Sequence, residues 1–130
     1  MEIIRYKGDD KRTYDKVIGD NAEDAVVSQM LRDGYRLLAR NYAVYNVGEL
    51  DSVFERDGDV YVVEVKARIE GNDYAAPEES ISANKYRKLV KTAQIFVHRK
   101  RLYDSNIIFL IGAVTHNRDG LIQNVKIIPF

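Results

Sequence analysis

Two acids and a lysine, Asp51, Glu64 and Lys66, are spaced so that one β-hairpin would bring them together. Between the acids lies Asp57-Gly58, the dipeptide of a two-residue type I′ turn. Val, Phe and Tyr are frequent on both sides of it and suit strands. Such a turn pairs Arg56 with Asp59, Val53 with Val62 and Asp51 with Glu64. Cross-strand partners hold their Cβ atoms about 4.5–5.5 Å apart on a shared face. Lys66, two residues past Glu64, returns to that face. Carboxylates placed directly opposite repel one another, so the pair calls for a cation, either Lys66 or a divalent metal. The chemistry open to such a group is phosphodiester hydrolysis. Hard carboxylate oxygens hold Mg²⁺ and leave room for water and a phosphate oxygen. A metal held there lowers the pKa of a bound water and neutralises charge in the transition state. A lysine one pleat away orients or deprotonates that water, or stabilises the phosphorane. Without a metal, the same three residues make a surface ion cluster with no chemistry.

The flanking elements must position this hairpin. Residues 20–33 read as a helix, with Asp20 and Glu23 in the form of a capping box and Gly34 as the C′ glycine. Its apolar stripe is Val26, Val27, Met30 and Leu31, and Glu23 falls on the same stripe. Glu23 thus either caps the helix, faces the sheet, or does both. Tyr35–Asn41 is a strand candidate, followed by a loop over Tyr42–Val47. Glu49 is expected on the face of Asp51. Residues 68–80 are polar and irregular and read as a loop at the open end of the hairpin. A second amphipathic helix covers 82–98, with Ser82 as its cap and Leu89, Val90, Ala93, Phe96 and Val97 on its buried face. Lys85 sits at the edge of that face. Ile107–Val114 is continuously apolar, as in a strand buried on both faces. A parallel return to it from the hairpin needs a crossover helix, and 82–98 supplies one. Ile122–Ile128 closes the sheet. The predicted order is α-β-β-β-α-β-β, a mixed sheet with a helix on each face. Near the start, Glu2–Tyr6 suits a short strand, and residues 7–16 are charged and expected to be exposed.

Composition narrows the function classes. A chain of 130 residues with 45% hydrophobic content makes one domain with a real core. The formal net charge is zero, so any attraction to nucleic acid must be local. Seven Lys and Arg residues with no acid between Lys85 and Arg101 form such a local basic run. A solvated helix face accounts for the same run without function. The absence of Cys excludes disulfides and thiolate chemistry, and two histidines exclude a multi-histidine zinc site within one chain. No apolar run approaches the ~20 residues of a membrane span, and the first residues contain no signal-peptide core. A soluble, cytoplasmic protein is expected.

An acid followed on the next strand by Glu-x-Lys is the metal site of the restriction-endonuclease-like fold, PD-(D/E)xK. The sequence also resembles the YraN-like family of small bacterial proteins. The resemblance rests on Gly19 and Glu23, Gly34-Tyr35, Arg40-Asn41, Gly48-Glu49-Leu50-Asp51, Val63-Glu64-Val65-Lys66 with Arg68, Lys85, Ala93 and the closing Ile127–Phe130. It covers residues 17–130 and leaves 1–16 as an extension without a counterpart. The family's usual Arg-Phe-Asp element is replaced here by Asp104-Ser105-Asn106-Ile107-Ile108. The resemblance implies the restriction-endonuclease-like fold and, more remotely, similarity to archaeal Holliday-junction resolvases.

These observations set the expectations. Asp51 and Glu64 bind Mg²⁺ or Mn²⁺, Glu23 adds an outer carboxylate, and Lys66 is the catalytic lysine. Arg68, Lys85 and Lys88 contact phosphates. The substrate is DNA, structured or branched DNA included and RNA not excluded. The protein acts as a metal-dependent nuclease or, alternatively, as a nucleic-acid-binding module that keeps the fold without turnover. Action on two strands would suit a homodimer.

Overall fold

The computed structural model describes residues 11–71 and 81–130, Lys11 and Arg12 by backbone alone. Helix α1 (Lys11–Arg32) precedes strands β1 (Arg36–Val44), β2 (Gly48–Arg56) and β3 (Asp59–Ile69). Helix α2 (Ala83–Arg99) then leads to β4 (Ile107–His116) and β5 (Ile122–Pro129). The sheet order is β1-β2-β3-β4-β5. β3 and β4 run parallel, and the other neighbouring strands are antiparallel. This is the mixed, helix-flanked sheet predicted from the sequence, with α2 as the crossover.

Local signals explain most element ends. Asp57 and Gly58 both take positive φ, 51° and 84°, as a type I′ turn requires, and Arg56 pairs with Asp59. Gly34 has φ 90°, and Tyr35 N–H and Gly34 N–H donate to the carbonyls of Met30 and Leu31, closing α1 in a Schellman motif. Ser82 Oγ accepts from Lys85 N–H and caps α2.

The sheet separates two cores. One lies against α1 and holds Val26, Val27, Met30, Phe54, Val63 and Val114. The other lies against α2 and holds Leu50, Val53, Val60, Val62, Leu89, Ala93, Phe96 and Val97. α1 approaches β4 so closely that a Cβ on Gly112 would stand 2.6 Å from Val26 Cγ2. Val60, Val62 and Val63 are fully buried because β3 is central and covered on both faces.

Several boundaries differ from expectation. α1 starts at Lys11, not at residue 20, and runs unbroken across positions 16 and 17. Asp20 is therefore inside the helix, where it accepts from Lys16 Nζ at 3.0 Å instead of capping. Tertiary contact extends the helix: Ile18 is buried, and the Tyr14 hydroxyl donates to the Arg118 carbonyl between β4 and β5. Those contacts outweigh the ~1 kcal/mol that an interior Gly19 costs. Leu31, expected in the buried stripe, is exposed, because Val27 and Met30 take the line facing the sheet. On α2, Thr92 is fully buried and Val90 is only half-buried. Thr92 tolerates burial because its hydroxyl donates to the Lys88 carbonyl at 2.7 Å. β1 continues through Tyr42 to Val44, shortening the expected loop. The predicted strand at Glu2–Tyr6 and most of the loop at 68–80 lie outside the described residues. Among the described residues, no helix is long and apolar enough to cross a membrane.

Candidate functional site

The β2–β3 ladder holds register from Arg56↔Asp59 to Ser52↔Val63. One step further, the side chains of Asp51 and Glu64 take over from the backbone. Asp51 N–H donates to Glu64 Oε2 at 3.2 Å, and Val65 N–H donates to Asp51 Oδ2 at 2.9 Å. Each carboxylate thus satisfies a backbone donor on the opposite strand. The two acids are brought together as the hairpin count predicts, through this exchange rather than as a regular pair.

The neighbouring strand shows why the ladder opens here. Arg40 pairs with Ser52 and Tyr42 with Leu50, which leaves Asn41 across from Asp51. Asn41 has φ 50°, a left-handed conformation that Asn adopts more readily than most residues. The side-chain alternation breaks at that point. Arg40 reaches Asp24 and Glu23 of α1 at 2.9 and 3.8 Å, whereas Tyr42 stacks edge-on against Phe96 of α2. On β2, Leu50 and Val53 both enter the α2 core although three residues apart. Glu49 is exposed and, like Asp51, lies close enough to α1 to act electrostatically on Glu23.

Glu64 is 2% exposed. Burial, reinforced by the Asp51 carboxylate, pushes its pKa up to about 7, against the lowering effect of the Asp51 N–H and of Lys85. The cation beside it is Lys85 of α2, whose Nζ lies 3.4 Å from Glu64 Oε1. The sequence offers Lys66 or a divalent metal for that role. Lys66 is half-buried and makes no hydrogen bond or ion pair among the described residues. Lys85 takes its place because the first turn of α2 crosses the open end of the hairpin.

Glu23 is half-buried on α1. Burial and the Asp51 carboxylate raise its pKa, and Arg40 opposes the rise. It senses Asp51 without joining it: among the described residues, no three His, Asp or Glu side chains come close enough to hold a metal between them. Arg68 lines a hollow of about 350 Å³ with Tyr14, Ile18 and His116, and Lys88 lines another beside the β1–β2 turn. Sequence reasoning passed over Arg40 and Asn41 as site residues. The signal was an Asn, tolerant of left-handed backbone, next to an Arg in the middle of a strand.

The donor set fits a divalent cation in one respect. Mg²⁺ is commonly held by one or two carboxylates plus waters and substrate phosphate. Asp51 Oδ1 makes no hydrogen bond among the described residues, and Glu64 is a buried carboxylate whose ionisation a cation would favour.

Residues 22–114 match the model of the uncharacterised protein family UPF0102. A UPF0102 protein of Persephonella marina is 34% identical over 106 residues, 82% of this chain and 90% of that protein. One from Clostridium perfringens is 34% identical over 109 residues, 84% of this chain and 88% of that protein. Among solved structures, the chain is similar to Pyrococcus furiosus SfsA in complex with Ca²⁺, with 12% identity and a TM-score of 0.43. That likeness covers 85% of this chain but only 63% of the SfsA chain. The family match spans most of the sequence, and the chain belongs to UPF0102, the YraN-like family.

Proposed function

We propose that this protein is a metal-dependent nuclease that hydrolyses phosphodiester bonds in DNA. The observation that carries the reading is the meeting of Asp51 and Glu64 where the β2–β3 ladder opens, with Lys66, which has no partner among the described residues, following Glu64 on β3. Asp51 and Glu64 would hold Mg²⁺ or Mn²⁺. Such an ion, when bound, supplies Lewis-acid polarisation of a phosphoryl oxygen and a more acidic water. Lys66 orients the attacking water and takes up its proton or steadies the developing phosphorane charge. Glu23 holds an outer water, and Arg40 keeps its carboxylate in place. Lys85, Lys88 and Arg68 contact the phosphates that flank the scissile bond.

A second reading has one observation in its favour. Lys85 already pairs with Glu64 Oε1. A site satisfied in that way suits a nucleic-acid-binding module without turnover. Cleavage of linear, branched and single-stranded DNA in Mn²⁺ decides between them, with Asp51→Asn and Lys66→Ala as controls. Cleavage lost in both variants supports the nuclease. Binding without cleavage in the wild type supports the module, and cleavage undiminished in Asp51→Asn overturns the assignment of the site.

A further inference from the structure

Three cations converge on the N-terminal half of α2. Arg87, Lys88 and Lys91 of α2, with Asn46 and Val47 of the β1–β2 turn, line a hollow of about 200 Å³. None of the three cations makes an ion pair or a side-chain hydrogen bond among the described residues. Their spacings, Arg87 to Lys91 and Lys88 to Lys91, are those at which like charges on a helix repel. The sequence from Lys85 to Arg101 offers no acid to relieve them. An anion in the hollow would.

The turn is built to stay where it is. Asn46 has φ 60°, and Val47 N–H donates to the Val44 carbonyl at 3.0 Å. Gly48 lets the turn press against the helix, since a Cβ there would lie 2.7 Å from Thr92 Oγ1. At the tip of this fixed turn, next to the hollow, Tyr45 is 91% exposed. The position is neither core nor cap, and it places an exposed ring one residue from the turn residues that line the hollow.

We propose that the β1–β2 turn and α2 form a clamp for a DNA strand that carries an unpaired nucleotide. A phosphate sits in the hollow of Arg87, Lys88 and Lys91, and the adjacent unpaired base stacks on Tyr45. Base–aromatic stacking beside a positive groove is the general means of holding single strands, because every base offers a π-face. A base inside a duplex has both faces covered by its neighbours. The clamp therefore selects overhangs, gaps and single strands. It rests on the nucleic-acid reading and names its substrate class. Lys85, paired with Glu64, and Lys91 are separated by about 9 Å along α2 at 1.5 Å per residue. The clamp and the carboxylates would thus lie close enough to engage one strand.

Fluorescence anisotropy in EDTA tests the clamp without asking for catalysis. The probes are a labelled oligothymidylate of about 15 nucleotides and a blunt duplex of equal length, each over a salt series. Tyr45→Ala should weaken single-strand binding about tenfold and leave duplex binding within about twofold. Tyr45→Phe should keep the wild-type preference. Reversing Arg87, Lys88 and Lys91 together to Glu should weaken both probes and flatten the single-strand salt slope by about two. The clamp is overturned if Tyr45→Ala leaves single-strand binding intact, or weakens both probes equally, or if the triple variant keeps its salt slope. Circular dichroism confirms folding of each variant. Tyr45-selective binding by a wild type that cleaves nothing in Mn²⁺ would retire the nuclease and keep the clamp. Cleavage lost in Asp51→Asn with no selective effect of Tyr45→Ala would do the opposite.

Discussion

The two ends of the β2–β3 hairpin differ in what holds them. At the closed end, Asp57 and Gly58 adopt the two positive φ values of a type I′ turn, and backbone pairing follows from them. At the open end, the backbone ladder stops at Ser52↔Val63 and two carboxylates replace its bonds. The closed end is exposed and locally determined. The open end buries a carboxylate and depends on Lys85 from a distant helix. One end is thus held by backbone alone, and the other holds a buried carboxylate whose burial opposes its ionisation.

The largest test of this contrast is activity. Asp51→Asn and Glu64→Gln should each lower Mn²⁺-dependent cleavage by about a hundredfold or more, the scale of removing a group that stabilises transition-state charge. Gly58→Ala, at the closed end, should leave kcat unchanged once the protein is folded. Equal losses at both ends would show that the open end has no special chemistry.

Next comes stability against pH in EDTA. A carboxylate whose folded pKa lies above its ordinary value binds more protons in the native state than in the unfolded state between the two. For Glu64 that window runs from 4.5 to about 7. Metal-free stability should therefore be greatest below the window and fall as pH rises through it, by about 3 kcal/mol from this group. Glu64→Gln should remove the fall, matching wild type at pH ~5 and exceeding it at pH ~8. Mn²⁺ should raise the Tm of wild type more at the higher pH and leave Glu64→Gln unmoved. Urea denaturation at both pH values measures the first effect, and thermal unfolding with and without Mn²⁺ measures the second. A wild type as stable at pH ~8 as at pH ~5, with the variant no better, would contradict a costly buried carboxylate.

Gly58→Ala gives the smaller, local counterpart. An Ala forced to φ 84° should cost about 1–2 kcal/mol at every pH. A pH-independent shift of the urea midpoint checks it. The smallest effect is that of Lys85→Ala, which removes the partly exposed partner of Glu64. It should cost about 1 kcal/mol above the pKa of Glu64 and almost nothing below it, where Glu64 is neutral. A loss of equal size at pH ~5 would mean that Lys85 contributes through packing of its stem rather than through charge.

Much of this architecture was legible in the sequence because it rests on short-range rules. Asp57-Gly58 specified the turn, and counting back along the strands brought Asp51 to Glu64. Ser82 and Gly34 marked helix ends, and the apolar run from Ile107 marked the strand parallel to β3, although its first four residues are only partly buried. The apparent capping box at Asp20-Asn21-Ala22-Glu23 misled for a related reason. It satisfies a local rule that longer-range packing of Ile18 and Tyr14 overrides.

By itself, then, the sequence determined the order of elements, the hairpin register and the two acids that meet, since turn chemistry and side-chain alternation act between near neighbours. Only the tertiary structure decided which cation faces Glu64 and where the alternation breaks. Lys66 is two residues from Glu64, yet Lys85 reaches it, because the crossover lays the first turn of α2 over the open end of the hairpin. The break at Asp51 depends on the left-handed backbone of Asn41 across the ladder, and on helices that draw Arg40 to one face and Tyr42 to the other. Burial and charge at a site are sums over everything packed around it, and no single stretch of chain contains that sum.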